Sequence, residues 1–371
     1  MNALLDGSAL ERDAPQPWQD AAKGYWVLFV YCLFSMLQTM MWAIPGTVST
    51  TLTSVFPNSV SPFAVQVILS WGSLFFVLCS FPVAYILARP YGIRRCTVLG
   101  IFFLTACAVC RCAAQNDSPL TLALWNISGI FAGLANPLAM GAPALIAETW
   151  FQPKHRGLAM ALAAEANSIG GAVAFLIPPA LLPADTLRNL NHVNVVCLGA
   201  CLACCLCCLY LPDKPSVPPS RSAIAETTAS DILTFSSMIE AVMRLARSPQ
   251  TCLVVLMYAV VSIVKRRRSI HAQCPTPRST RAQAGGFNSA WAGTLNLNLS
   301  QVGLSQNMAG YIGFASTLGG NIVGILCGLF VDRFHRMKPS LVALNIINVV
   351  ALVGFAIFVR VRREWPVCAL F

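Results

Sequence analysis

Apolar runs of about 20 residues, each long enough as a helix to cross roughly 30 Å of hydrocarbon, recur along most of this chain. No other feature limits the fold so strongly. The runs lie at 25–48, 63–88, 96–114, 119–142, 158–182, 193–211, a divided pair at 251–264 and 286–299, 306–331 and 339–359. They predict an all-α polytopic membrane protein with about nine transmembrane helices. Only 11% of the 371 residues are charged, against about a quarter in soluble domains. The net charge of +11 sits between apolar runs rather than on one amphipathic face, which points to membrane topology and away from nucleic acid.

The polar connections divide the chain. Residues 1–24 form a polar tail with no apolar leader core, so the first span is expected to act as its own insertion signal. Six spans occupy 25–211. The Pro- and Ser-rich segment 212–250, opening "PDKPSVPPSRS", reads as a linker with a surface helix near Ser236–Ala246. Further spans fill 251–359, interrupted by the basic stretch 265–285, and a basic tail covers 360–371. Lys23, Arg89, Arg94, Arg95, Lys154, Arg156, Lys214, Arg221, Arg244, Arg247, Arg333, Arg336 and Lys338 fall in connections that share one side. Short loops on the other side carry Arg188. The positive-inside bias therefore predicts a cytosolic N-terminus, with the sequons at Asn116 and Asn298 on the opposite side.

Sixteen cysteines crowd most densely in "CLGACLACCLCCL", Cys197–Leu209. Zinc thiolates need charge compensation and outer partners, and this segment offers Leu, Ala and Gly. Packing and lipid contact is the reading, with reversible acylation at the cytosolic end as the alternative. Motifs for zinc proteases, P-loops and serine hydrolases are absent and the four histidines are scattered, so an enzyme is not expected and no cofactor is implied. A channel would need a pore-lining polar face or filter-like loop, and neither is evident. Six spans, a linker and further spans is the layout of a two-halved transporter.

Two connections and one loop sharpen this layout. "YILARPYGIRR" (Tyr85–Arg95) follows the second span, and "GLFVDRFHRMK" (Gly328–Lys338) follows the eighth. The second resembles the major facilitator superfamily loop G-x-x-x-D-[RK]-x-G-[RK]-x-[RK]. In the first, Tyr85 and Arg89 stand at the Gly and Asp positions, a departure from the pattern. "ETWFQPKHRGLAMAL" resembles that superfamily's W-F-x(4)-R-G-x-A element. "WVLFVYCLFSMLQTMMW", "YLPDKPSVPPS" and "AGYIGFASTLGGNIVGI" narrow the resemblance to the solute carrier family 49 group. It implies a major facilitator superfamily-like fold and a small organic solute as partner; heme, choline, ethanolamine and pyridoxine have been proposed in the group. It also implies a lysosomal membrane, with the plasma membrane as alternative. Against that family, joining Val264 to Gly286 restores an unbroken seventh span. Residues 265–285 thus read as a retained insert, or alternatively as a real insertion. Twelve spans would be expected, so the second half reads as incomplete. A truncated, non-transporting or regulatory product is the alternative function. Oligomeric state carries no sequence signal.

Ionisable and polar residues inside spans are the candidate site. Glu165 lies about 12 Å into the fifth span and is a candidate proton carrier, with a passive polar spot as the alternative. Arg111, near the end of the third span, is expected to snorkel, or to bind an anionic group or pair with Glu165. Gln38, Trp42, Asn126 and Asn136 are expected to line a substrate cavity, Trp42 by stacking or cation–π attraction, and Trp71 to anchor at the interface. Arg89, Arg94, Arg95, Asp332 and Arg333 are expected to form gating loops, and Glu148 to pair with Lys154 or Arg156. No histidine lies in a convincing span, which argues against axially held heme. Gly129 and Gly133, Gly170 and Gly171, and Gly320, Gly324 and Gly328 are expected at close helix contacts.

Overall fold

The computed structural model describes residues 18–89, 91–182, 184–212 and 305–334, with isolated positions at 215, 240, 243, 244, 247 and 295. These residues form nine helices: α1 (Trp18–Thr47), α2 (Ser49–Val55), α3 (Pro62–Leu87), α4 (Gly92–Ala113), α5 (Pro119–Met140), α6 (Pro143–Trp150), α7 (Pro153–Leu181), α8 (Leu187–Leu209) and α9 (Gln306–Phe334). Six of them are long and apolar enough to cross a membrane and match the six spans expected before the linker. The expected eighth span is α9. The divided seventh span with its insert 265–285, the ninth span at 339–359 and the tail 360–371 lie outside the described residues. So does the linker 212–250, apart from isolated positions; there Glu240 and Arg244 are helical and pair at 2.7 Å.

Local chemistry sets the helix ends. Pro62, Pro119, Pro143 and Pro153 sit in first turns, where a missing N–H costs nothing. Ser61 and Thr186 cap their helices by accepting from the amides of Ala64 and Asn189. Between α3 and α4 the chain turns through Tyr91 at φ 64°, the left-handed region, and Gly92 then lies so close that a Cβ would meet the Leu87 carbonyl oxygen at 2.4 Å.

Helix α1 is the hub. It packs chiefly on α7 and also touches α3, α4, α5 and α8; α5 joins α3 to α4, and α4 meets α8. The α1–α7 approach is closest at Gly170, where a Cβ would stand 2.0 Å from the Met36 carbonyl oxygen. Gly133 likewise admits the backbone of Trp71, whose oxygen would be 2.7 Å from a Cβ. Both are the small-residue approaches expected of spans five and four. Side chains around Gly320, Gly324 and Gly328 lie outside the described residues.

The bundle has two distinct ends. At one, Tyr25 at the start of α1 meets Phe151 edge-on, ring centroids 5.3 Å apart, and Arg156 reaches the Glu148 carboxylate at 3.8 Å. That is one of the two pairings expected for Glu148. At the other end, the Asn58 backbone and side-chain amides donate to Asp117 at 3.1 and 2.8 Å. A further hydrogen bond from Ser59 is the main reason that the Asp117 carboxyl is held below its ordinary range.

Candidate functional site

A polar seam runs along the α1–α7 contact, in the middle of apolar helices. Asn167 Nδ2 on α7 lies 3.3 Å from three acceptors on α1: the Ser35 carbonyl, the Ser35 hydroxyl and Gln38 Oε1. The Thr39 hydroxyl donates to the same Gln38 oxygen at 3.2 Å. Gln38 Nε2 then reaches the Ala132 carbonyl on α5 at 3.4 Å. Ser35, Gln38 and Thr39 are brought together by helical spacing: positions three and four apart share a face. A single donor, Asn167 Nδ2, is thus shared among three acceptors. Gln38 itself is 2% exposed, and Asn167 is half-buried.

Glu165 stands two residues before Asn167, about 200° around the helix, and so does not share its face. One of its oxygens, Oε2, is buried with no hydrogen-bond partner among the described residues. Removed from the seam but still inside the span, this carboxylate keeps hydrogen-bonding capacity that the described residues do not use.

The other candidates go elsewhere. Trp42 donates its indole N–H to the Leu69 carbonyl at 3.1 Å and covers Gly72, so its ring closes the α1–α3 contact. Asn126 accepts from Trp71 Nε1 at 3.0 Å and donates to the Leu122 carbonyl at 2.9 Å. Trp71 therefore ties α3 to α5 through its indole N–H. Asn136 is half-buried on α5. Arg89 lies over the Tyr85 ring, 4.8 Å from its centroid, and its guanidinium donates to the Tyr85 hydroxyl. The two residues that replace the usual Gly and Asp thus bond to each other. Arg94 is half-buried and Arg95 exposed; Asp332 and Arg333 are in α9, and their side chains lie outside the described residues.

Arg111 departs from expectation. Its side chain does not snorkel: it is 1% exposed. It donates to the Met41 carbonyl at 2.8 Å and to Ser128 at 3.2 Å, and its guanidinium carbon is 5.2 Å from the Trp125 ring centroid. Among the described residues no carboxylate pairs with it, Glu165 included. On α8, Cys197, Cys201, Cys204 and Cys208 turn inward and Cys205 outward. Among the described residues no group of His, Cys, Asp or Glu side chains is placed to hold a metal ion. An apolar groove of about 150 Å³ lies between α3 and α5, lined by Phe76, Val83 and Met140 among others; it holds no charged group, and the polar seam is the better candidate.

Sequence reasoning missed Ser35 and Thr39, whose short hydroxyls look unremarkable in an apolar run, and did not single out Asn167. The signal was available in their spacing: Ser35, Gln38 and Thr39 recur at helical intervals on one face.

Six helices long and apolar enough to cross a membrane, five of them gathered about α1, with amides and hydroxyls paired inside, define a polytopic membrane protein with a polar interior seam. The chain belongs to the Major Facilitator Superfamily, whose sequence profile matches residues 27–371. It is similar to a solute carrier family 49 member 4 homolog of Xenopus laevis, 28% identical over 335 residues, which cover 86% of this chain and 66% of that protein. It is also similar to the choline/ethanolamine transporter FLVCR2 of Rattus norvegicus, 23% identical over 357 residues, covering 92% of this chain and 58% of the relative. The chain thus spans less than two thirds of the length of either relative. Among solved structures, a D-xylose-proton symporter shares the fold at a TM-score of 0.52 and 14% identity, over 83% of this chain and 69% of that one.

Proposed function

We propose that this chain is a transmembrane transporter, or the larger part of one, moving a small organic solute by alternating access. The observation that carries the reading is the α1–α7 seam of Ser35, Gln38, Thr39 and Asn167, a polar cluster between two membrane-length helices. Amides and hydroxyls with shared hydrogen bonds can trade one protein partner for a solute hydroxyl, amine or water at little cost. The relatives named as choline/ethanolamine transporters favour a small amine or amino alcohol as the solute. Glu165, with its unpartnered buried oxygen, is the residue assigned to proton or cation coupling. The basic connections favour a cytosolic N-terminus, and family resemblance favours the lysosomal membrane.

The test is uptake of radiolabelled choline and ethanolamine by cells carrying the full chain at the surface, compared with Asn167→Leu, Gln38→Leu and Glu165→Gln. Saturable uptake that both seam substitutions abolish, and that Glu165→Gln uncouples from a pH gradient, supports the reading. Correct membrane insertion with no uptake of any such solute would return the alternative, a membrane protein that does not transport.

A further inference from the structure

Pro45 lies inside α1 and has no N–H, so the carbonyl four residues earlier, that of Met41, loses its helical partner. In a hydrocarbon setting such a group must be satisfied by a neighbour. Arg111 Nη2 donates to that oxygen at 2.8 Å. The guanidinium is fully buried without an acid partner among the described residues; it also donates to Ser128 and lies against the Trp125 face, while its Nη1 has no hydrogen-bond partner among the described residues. Asn194 of α8 in turn holds the Arg111 backbone carbonyl at 3.2 Å. A buried charge of this kind is costly and marks a functional position, and the carbonyl that Pro45 releases is an acceptor that needs a donor at this point.

Just beyond Pro45 and Gly46 the helix breaks. Val48 leaves helical geometry at φ −101°, ψ 21°, and α2 begins. In an unbroken helix the Thr51 amide would bond to Thr47; here it faces Gln306 Oε1 at 3.4 Å. The Thr50 hydroxyl donates to the same oxygen, and Gln306 Nε2 donates to the Thr51 hydroxyl at 2.9 Å. The Thr51 hydroxyl donates its own proton to Asp185, in the turn that leads into α8. Beneath this polar rim, Val48, Leu52 and Phe56 are fully buried. The segment is an apolar plug whose polar edge is fastened to two other parts of the bundle.

We propose that residues 48–56 form a lid hinged at Pro45–Gly46 and fastened by Gln306 and Asp185, and that Arg111 is the positioning residue that sets the hinge through the Met41 carbonyl. The purpose of the lid, closing the solute path at the end of the bundle opposite Tyr25, rests on the transport reading; the hinge and its fastening do not.

The test is hydrogen exchange of the full chain in lipid nanodiscs, which needs no solute. Gln306→Ala is expected to speed exchange over residues 49–55 roughly tenfold, the loss of about one hydrogen bond, with residues 92–113 unchanged. Arg111→Leu is expected to speed exchange over residues 44–52. Pro45→Ala, which returns an N–H to the Met41 carbonyl, should remove most of that effect in the double variant. If Arg111→Leu does not fold but the double variant does, the coupling is shown more strongly still. An Arg111→Leu effect of equal size with and without Pro45→Ala, or failure of both to fold, overturns the clamp. An unchanged 49–55 in Gln306→Ala overturns the fastening. Failure of uptake alone would remove the transport reading and leave these results standing.

Discussion

Helices α1 and α3 are both long, both strongly apolar and both carry an internal proline, yet 67% of the most apolar window of α1 is buried against 22% for α3. Their polar side chains show why. On α1, Gln38 bonds to α5 and accepts from α7, and Tyr31 donates to the carbonyl of Ala139, four residues before Pro143. On α3, Ser70 and Ser80 bond back to the Gln66 and Phe76 carbonyls of their own helix. A hydroxyl that satisfies itself locally can face lipid; an amide with four hydrogen-bonding valences cannot, and it drags its helix inward. Hydropathy marks both segments as spans, and hydrogen-bonding capacity sorts hub from rim.

Substitutions can break this contrast. Gly170→Ala puts a methyl carbon into the Met36 carbonyl of α1, and a loss of about 3 kcal/mol or more in folding stability is expected, read as lost monodisperse protein after detergent extraction. Val77→Ala on the outer face of α3, 69% exposed, should stay within about 0.5 kcal/mol. Next in size, Asn167→Leu removes the donor shared by Ser35 and Gln38 and should cost about 1–3 kcal/mol in reversible denaturation. Ser80→Ala, losing only a bond within its own helix, should be nearly silent; an equal cost at both positions would sink the distinction between hub and rim. Smaller again, Glu148→Gln should cost about 0.5 kcal/mol or less, because the 3.8 Å pair with Arg156 is partly exposed and screened.

The smallest effect concerns the loop that leads into α3. Because the folded state holds the Asp117 carboxyl below its ordinary value, its contribution is present above about pH 4. It is lost as the pH falls through the lowered folded value. Asp117→Asn should therefore slightly loosen the Asn58 loop at neutral pH, and the difference from the parent should shrink in strong acid. A thermal-melt series across pH reads this directly.

The spans were legible because length and apolarity are properties of one segment. The close approaches were legible too: Gly133 and Gly170 sit where small-residue spacing placed them. Contacts between segments were not, since nothing in "MMWAIPG" (Met40–Gly46) says that Trp42 closes on Gly72 instead of facing a cavity. Arg111 is the instructive case. Its position near a helix end suggested the water interface, but a proline four residues after Met41 already announced a carbonyl in want of a donor. Depth in the bilayer predicts where a charge can escape to, whereas a freed backbone group predicts where it is needed.

The turn between α3 and α4 has a mechanical consequence. Tyr91 already occupies a backbone region that side chains rarely adopt, and Gly92 has no room for even one more carbon. Any side chain added at Gly92 would have to displace the Leu87 or Ile86 carbonyl, so a substitution there moves the end of α3 as well as the start of α4.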